Sequence, residues 1–370
     1  MSKQRASDDQ SVAAWDKNLE AAETYGEKQS EIHIDHTPAA AEWDAYVMHH
    51  TPATFFHLTG WQRVVEKTFA YRSFSCAARC NGRITGVLPL FLVRHLPFGQ
   101  ALVSAPLAVY GGICADDTGS RDVLLHHAQA LAQQLQVRYL ELRQTEPLQD
   151  LPQKELYVTF RREIDGDPEK NMAAIPRKQR RMIRQGDKCG LRALVGGEEF
   201  LERFYQIYAH SVQRLGTPVY PRNLFADFLR EFGSACRILA VFHNTEMVAG
   251  VMTFFFRDQV LPYYGGALQE ALPYAVNDFM YWQLMCYAAE QGYRLFDFGR
   301  SKQGTGAYDF KRHWGFEPTP LPYQYYLVRQ KTLPNINPLD SKFALPIEVW
   351  KRLPLWCTQW LGPKLVRFFP

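Results

Sequence analysis

Asp297, Arg300 and Ser301 stand within five residues of one another in Phe296-Asp-Phe-Gly-Arg-Ser301, after the short apolar run that starts at Tyr293. Such a segment reads as a buried strand that delivers an acid, a guanidinium and a hydroxyl at its carboxyl end, where open α/β sheets place their sites. A carboxylate can take or orient a proton, and an arginine fork matches phosphate or carboxylate oxygens. A glycine loop (Gly304, Gly306) follows, then a segment carrying Tyr308, Asp309, Phe310, Lys311 and Trp314. It reads as a short helix stopped by Gly315 and Pro318.

A weaker copy of this layout lies upstream. Tyr264-Gly-Gly266 is followed by a helical stretch over 277–291 and then the strand with Asp297. Tyr110-Gly-Gly112 is followed by a helical stretch over 121–134 and then Tyr139-Leu-Glu141-Leu-Arg143. Strand-like runs precede each motif, over 73–94 around the hairpin signal Asn81-Gly82 and over 236–257 around Asn244. A repeat this long points to a duplicated α/β unit rather than a solenoid. The pattern predicts strands over 74–79, 84–94 and 101–110 in the first unit, closed by 155–164. In the second it predicts strands over 237–242, 247–257 and 259–264, Asn277 as a helix N-cap, and a last strand over 323–329. The expected organisation is a disordered tail over 1–29, a first unit over 30–165, a basic helix and linker over 166–195, a second unit over 196–330 and an aromatic, basic tail over 331–370.

The 370 residues carry a net charge of +4, but the charge is uneven. Between Lys170 and Arg192 eight basic residues face a single acid, Asp187. Proline at 176 opens a helix there, which puts Arg177, Arg180, Arg181 and Arg184 on one face. Local basicity of this kind reads either as a solvated surface or as a clamp for an anionic, phosphate-bearing substrate. It is too short and too poor in stacking aromatics for a sequence-specific nucleic-acid module. Seven scattered cysteines without a CxxC pair suit reduced thiols in the cytoplasm, with no zinc site. No apolar run is long enough for a membrane span, and the polar start lacks a signal peptide's core. The tail over 345–370 mixes Trp and Phe with Lys and Arg, which suits peripheral contact with the inner face of a membrane or docking on the protein itself.

Asp297-Phe-Gly299 lacks the other kinase motifs, and there is no P-loop, no dinucleotide fingerprint and no nucleophile elbow. The duplicated layout, the DFGRS segment and Tyr308-Asp-Phe-Lys-Arg-His-Trp-Gly315 resemble the FemAB-like branch of the GNAT acyltransferase superfamily. Within it the chain is most similar to the FemAB-family proteins of exosortase/PEP-CTERM systems, on Ile175–Gly186, the Tyr263–Gly266 run, Asn277–Trp282 and Asp297–Pro318. The resemblance spans about residues 31–365. It implies an α/β fold of two tandem GNAT-like domains, mixed sheets flanked by helices. It also implies transfer of an acyl or aminoacyl group and a reacting centre at Phe310 and Lys311. The long coiled-coil insertion of some Fem proteins and the glycine loop that cradles coenzyme A in ordinary GNAT enzymes are both missing.

Acyl transfer asks for positioning, charge at the developing oxyanion and a route for one proton. Lys311, Asp297 and Tyr308 are the catalytic candidates. Lys311 would supply charge and Asp297 would accept the proton or orient the nucleophile. Arg300, Ser301, Phe310, Tyr264, Tyr110, Glu141, Arg143, Arg177, Arg180, Arg181 and Arg184 are the substrate-binding candidates. The expected reaction modifies an amine or hydroxyl of a nucleotide- or lipid-linked envelope or exopolysaccharide precursor, with acyl-CoA or aminoacyl-tRNA as donor and no permanently bound cofactor. An inert scaffold of an export or polysaccharide system and an RNA-binding module are the alternatives.

Overall fold

The computed structural model describes residues 32–95, 99–148, 151–334 and 344–368, so the tail expected to be disordered lies outside the described residues. Two mixed sheets, of eight and six strands, and one antiparallel sheet of four carry the chain. The four- and six-stranded sheets come mostly from the first half and the eight-stranded sheet from the second. The run expected over 84–94 divides at Pro89 into Arg83–Leu88, in the four-stranded sheet, and Leu90–His95, in the six-stranded one. Proline has no N–H for the ladder, so the strand can change sheets there. The amide of Ala105 donates to the Pro89 carbonyl at 3.1 Å.

The two halves exchange a strand. Tyr157–Glu163, expected to close the first unit, lies antiparallel to Leu295–Asp297 in the second-half sheet, with Arg161 opposite Asp297. Its other part pairs with Ser301–Lys302 and Pro318–Pro320. In return Tyr323–Leu327, expected in the second unit, pairs with Tyr139–Arg143, Tyr323 standing opposite Arg143. Both segments alternate well enough to suit either sheet, so periodicity cannot assign the partner. One of the three core clusters spans both halves: Phe55 stacks on Phe254 at 4.7 Å and Trp61 on Phe228 at 4.8 Å between ring centroids.

The segment expected as a basic helix and linker over 166–195 holds two helices, Pro168–Ala174 and Arg177–Lys188, and ends in the strand Leu191–Gly196, which pairs with Cys236–His243; the tail adds the helices Ala344–Arg352 and Leu355–Val366. Ala275 in the left-handed region precedes the helix Val276–Glu290, so Asn277 lies inside it and does not cap it. The Tyr-Gly-Gly copies also differ. Tyr264–Gly266 lies within the strand Gln259–Ala267, whereas the first-half strand ends at Ser104 and Tyr110–Gly112 falls in a loop. Gly111, at φ +126°, is required in that loop, since a Cβ there would come within 2.3 Å of Ala105 Cβ. Among the described residues no helix is long and apolar enough to cross a membrane.

His57 holds this loop from below. The Thr54 amide donates to its Nδ1 at 3.1 Å, so Nε2 carries the proton and donates to the Gly112 carbonyl at 3.0 Å. Burial pulls its pKa from 6.5 to about 4, with the two backbone hydrogen bonds opposing. The folded value lies below the unfolded one, so the neutral ring's contribution is fully present above pH 6.5 and is lost as pH falls towards 4. By linkage this amounts to about 3 kcal/mol. Unfolding free energies measured in urea at pH 7 and pH 4.5 should show this loss in the wild type and a smaller one in His57→Gln. Equal slopes would place the acid sensitivity elsewhere, for instance at the half-buried His127, which burial also lowers to about 4.

Candidate active site

Two parallel strands part at the site. Gln259–Ala267 and Leu295–Asp297 pair through only Gln259–Leu295 and Val260–Phe296. Beyond Phe296 the chain turns away, and the Phe298 amide donates to the Phe160 carbonyl at 2.9 Å. A notch opens between the strands, with the backbone of Leu261–Gly266 on one wall and Asp297 on the other. The first half repeats it: Gly99–Ser104 and Tyr139–Arg143 pair through Leu102–Leu140 and Val103–Glu141 only. There the notch is bridged. Ser104 Oγ accepts the Arg143 amide at 2.9 Å, and the buried Arg143 guanidinium donates to the Ala108 carbonyl at 2.8 Å while Nε pairs with Glu141 at 2.9 Å. Among the described residues no side chain hydrogen-bonds across the second notch.

Asp297 lies on the wall of that notch, 1% exposed. Its Oδ1 accepts the Gly299 amide at 2.7 Å, and its Oδ2 accepts the Tyr110 hydroxyl at 3.0 Å and faces Arg161 Nε at 3.3 Å. Tyr110 also meets the Thr159 hydroxyl. Tyr110 has one proton; given to Asp297, it leaves Thr159 as donor to the phenol oxygen. Burial pushes the Asp297 carboxyl above the usual carboxylate range, against the pull of Arg161, the Gly299 amide, Tyr110 and Lys311. A buried acid whose pKa is raised by desolvation and which is linked to a hydroxyl relay is suited to taking up a proton.

Lys311 reaches the same turn from behind. The helix Gly306–His313 starts at Thr305, whose side chain caps the Tyr308 amide, and points Lys311 inward. Its Nζ donates to the carbonyls of Phe298, Gly299 and Arg300 at 2.7, 3.0 and 3.1 Å. An ammonium has three protons and all three are engaged. Burial pulls the pKa down to about 7, the nearby Asp297 carboxylate raises it and Arg300 lowers it further. The direct geometric effect of Lys311 is therefore to fix the turn that carries Asp297 and Arg300.

Arg300 is half-buried beside aromatic rings and pairs with no carboxylate among the described residues. Its guanidinium lies 4.6 Å from the Tyr157 ring centroid and 5.7 Å from that of Tyr323, and Nη1 donates to the Tyr323 hydroxyl at 3.2 Å. Arg143 approaches the same Tyr323 ring, at 5.6 Å. Two arginines from the two halves thus share a tyrosine that the strand exchange brings in. Ser301 is buried and its Oγ has no partner among the described residues. The Tyr264 hydroxyl is also buried with no partner among the described residues, in a cluster with Tyr208, Tyr220 and Phe225.

The remaining candidates are not brought onto Asp297. The Tyr308 ring lies edge-on to Phe160, and Phe310 packs on Tyr281, Phe298 and Trp314. Arg177, Arg180, Arg181 and Arg184 form one stripe along the helix Arg177–Lys188, whose opposite face buries Gln179, Ile183 and Gly186. Among the described residues none of the four arginines forms an ion pair. This helix starts beside the end of the Lys311 helix, where a Cβ on Gly315 would come within 3.1 Å of Pro176 Cδ. Thr159, Arg161, Tyr157 and Tyr323 escaped the sequence reading because their strands were assigned to the wrong halves. A separate cleft of about 660 Å³, lined by Arg203, Tyr205, His210, Arg222, Leu355 and Gln359 among others, shares no residue with the Asp297 group.

Residues 170–312 match the family model of the acetyltransferase (GNAT) domain. Over 80% of the chain the structure superposes on 98% of the crystal structure of FemX, with a TM-score of 0.64 and 16% identity. It covers all of a tandem GNAT protein from the clavulanic acid biosynthesis pathway over 82% of this chain, with a TM-score of 0.51 and 13% identity. The chain has the tandem GNAT fold. The structure of L-PGS from Bacillus licheniformis is also similar, with a TM-score of 0.50 and 14% identity over 80% of this chain and 97% of that one. A search of curated proteins by sequence found no match.

Proposed function

We propose that the protein is a FemAB-like acyl- or aminoacyltransferase whose working site is the second-half notch. The observation that carries this reading is that the first notch is bridged by Arg143 and Ser104, whereas no side chain among the described residues bridges the second, beside the buried acid Asp297. Its wall from Leu261 to Gly266 offers backbone groups with which an extended donor chain can pair as an added strand. The match of residues 170–312 to a GNAT domain supports the same half.

In the reaction the acceptor's amine or hydroxyl attacks the acyl carbon and the bond to the donor's sulfur or ribose oxygen breaks. One proton moves from acceptor to leaving group. Asp297, with Tyr110 and Thr159 behind it, takes and passes that proton. Arg300 holds an anionic group of the donor or acceptor, and Lys311 keeps both on one rigid turn. The stripe of Arg177, Arg180, Arg181 and Arg184 suits a phosphate-bearing substrate such as a nucleotide- or lipid-linked envelope or exopolysaccharide precursor. The link to exosortase systems rests on sequence resemblance. Seven unpaired cysteines support a reducing compartment such as the cytoplasm.

Calorimetric titration with acetyl-CoA, and separately with aminoacyl-tRNA, tests the reading. One donor should bind to the wild type and bind at least about tenfold more weakly to Arg300→Gln, the loss expected when a charge-assisted contact goes. Absence of binding by both donors would sink the transferase reading and favour a scaffold. RNA binding that is indifferent to aminoacylation would favour an RNA-binding module.

A further inference from the structure

The last two helices turn their bulk outward. In Leu355–Val366 the inward face is Thr358, Gly362 and Val366, while Trp356 and Trp360 are 70% and 60% exposed. In Ala344–Arg352, Leu345 and Val349, one turn apart, are 74% and 53% exposed. Monomeric surfaces rarely spend large aromatic and aliphatic side chains this way. The helices are nonetheless firmly seated. Tyr71 donates to the Arg367 carbonyl at 2.6 Å, Gln213 Nε2 donates to the Leu353 carbonyl, and Gly362 sits so close to the backbone of Val219 that a Cβ would meet its carbonyl at 2.8 Å.

The segment itself is net positive. From 345 to 368 there are four cations, Lys351, Arg352, Lys364 and Arg367, all exposed, against a single acid, Glu348, which Lys351 neutralises at 2.8 Å. Lys364 Nζ stands 3.3 Å over the Trp360 ring. Indole rings beside flexible cations suit the boundary between lipid headgroups and acyl chains. Helices of 9 and 12 residues are too short to span a bilayer but long enough to lie along one.

We propose that the outward face of residues 345–367 is an interfacial docking surface for an anionic lipid bilayer, with Trp356 and Trp360 inserted and Lys364 and Arg367 against the headgroups. The inference goes beyond the transfer reaction and does not depend on it. Its occupant is identified by charge complementarity: an apolar ridge rimmed by net positive charge fits a surface that is apolar beneath a layer of negative charge.

The full-length protein, sedimented with vesicles of phosphatidylcholine alone or mixed with phosphatidylglycerol, tests it. The wild type should partition onto the anionic vesicles and be released by salt. Trp356→Ser/Trp360→Ser should bind at least about tenfold more weakly, since each indole carries a large apolar area into the interface. Lys364→Gln/Arg367→Gln should bind about fivefold more weakly for each cation removed. Brominated lipids should quench the fluorescence of the unaltered protein and quench that of Trp356→Ser/Trp360→Ser less, because Trp43, Trp61, Trp282, Trp314 and Trp350 are buried and Trp15, outside the described residues, is common to both proteins. No sedimentation and no quenching would overturn the proposal. So would equal binding by the tryptophan variant. A dimer of the wild type that the tryptophan variant abolishes, without lipid binding, would assign the face to a second copy of the chain instead.

Discussion

Replacing Lys311 by methionine should lower kcat/KM for transfer by about 10²- to 10³-fold, the range found when a charged or hydrogen-bonding group at a reacting centre is lost. The same change should cost roughly 3 kcal/mol of stability. Three carbonyls, those of Phe298, Gly299 and Arg300, lose their donor at once. Leaving such groups unpaired in a buried place costs about 1–3 kcal/mol each. Relief of the cost of burying an ammonium offsets part of that sum. The two effects are separable. Lys311→Gln keeps an amide donor with two N–H groups, so it should recover part of both stability and activity if Lys311 acts by fixing the turn. Urea unfolding and single-turnover transfer, measured on both variants, decide the matter. Activity within about threefold of wild type in the folded methionine variant would remove Lys311 from the mechanism.

Asp297→Asn should cost about 10²- to 10⁴-fold in turnover, the usual contribution of a positioned general base. An asparagine fills the same space, but its amide nitrogen must face a donor: the Gly299 amide on one side, or Tyr110 and Arg161 on the other. Loss of the Arg161 pair adds only about 1 kcal/mol, because that arginine is 38% exposed and screened by water. The pH profile supplies an independent readout. With the folded carboxyl raised above its ordinary range, a base at Asp297 gives activity that falls as pH drops through that raised value. In the asparagine variant this acid limb should vanish from the residual activity. An unchanged acid limb would show that another group titrates. Tyr110→Phe, which leaves Asp297 its Gly299 and Arg161 contacts, should lower kcat about tenfold with little change in KM, as loss of a relay hydroxyl that does not bind substrate does.

The strand exchange explains why the proposed proton relay spans both halves. Asp297 belongs to the second half, Tyr110 to the first, and Thr159 and Arg161 to the strand that crosses between them. Duplication alone would predict two equal sites. Instead the loop at Gly111–Gly112 aims the first Tyr-Gly-Gly copy at the second half's acid, and Arg143 closes the first half's own notch.

What the sequence by itself determined was local. Apolar periodicity, turn residues and the repeated Tyr-Gly-Gly layout determined the duplicated α/β organisation and the segment that carries Asp297, Arg300 and Lys311. These follow from neighbours along the chain, whose spacing is written in the sequence. Tertiary structure alone decided what depends on distant partners. Tyr157–Glu163 and Tyr323–Leu327 can each satisfy either sheet, so only packing of the whole chain selects the exchanged pairing. That choice sets Arg161 beside Asp297 and Tyr323 between Arg143 and Arg300. The charge on Lys311 reads from sequence as a group offered to substrate; burial against three carbonyls makes it the clasp of the turn. In the tail, the sequence lists tryptophans beside cations, but which face of the helix points outward was settled by where Gly362 and Thr358 could approach the backbone beneath them.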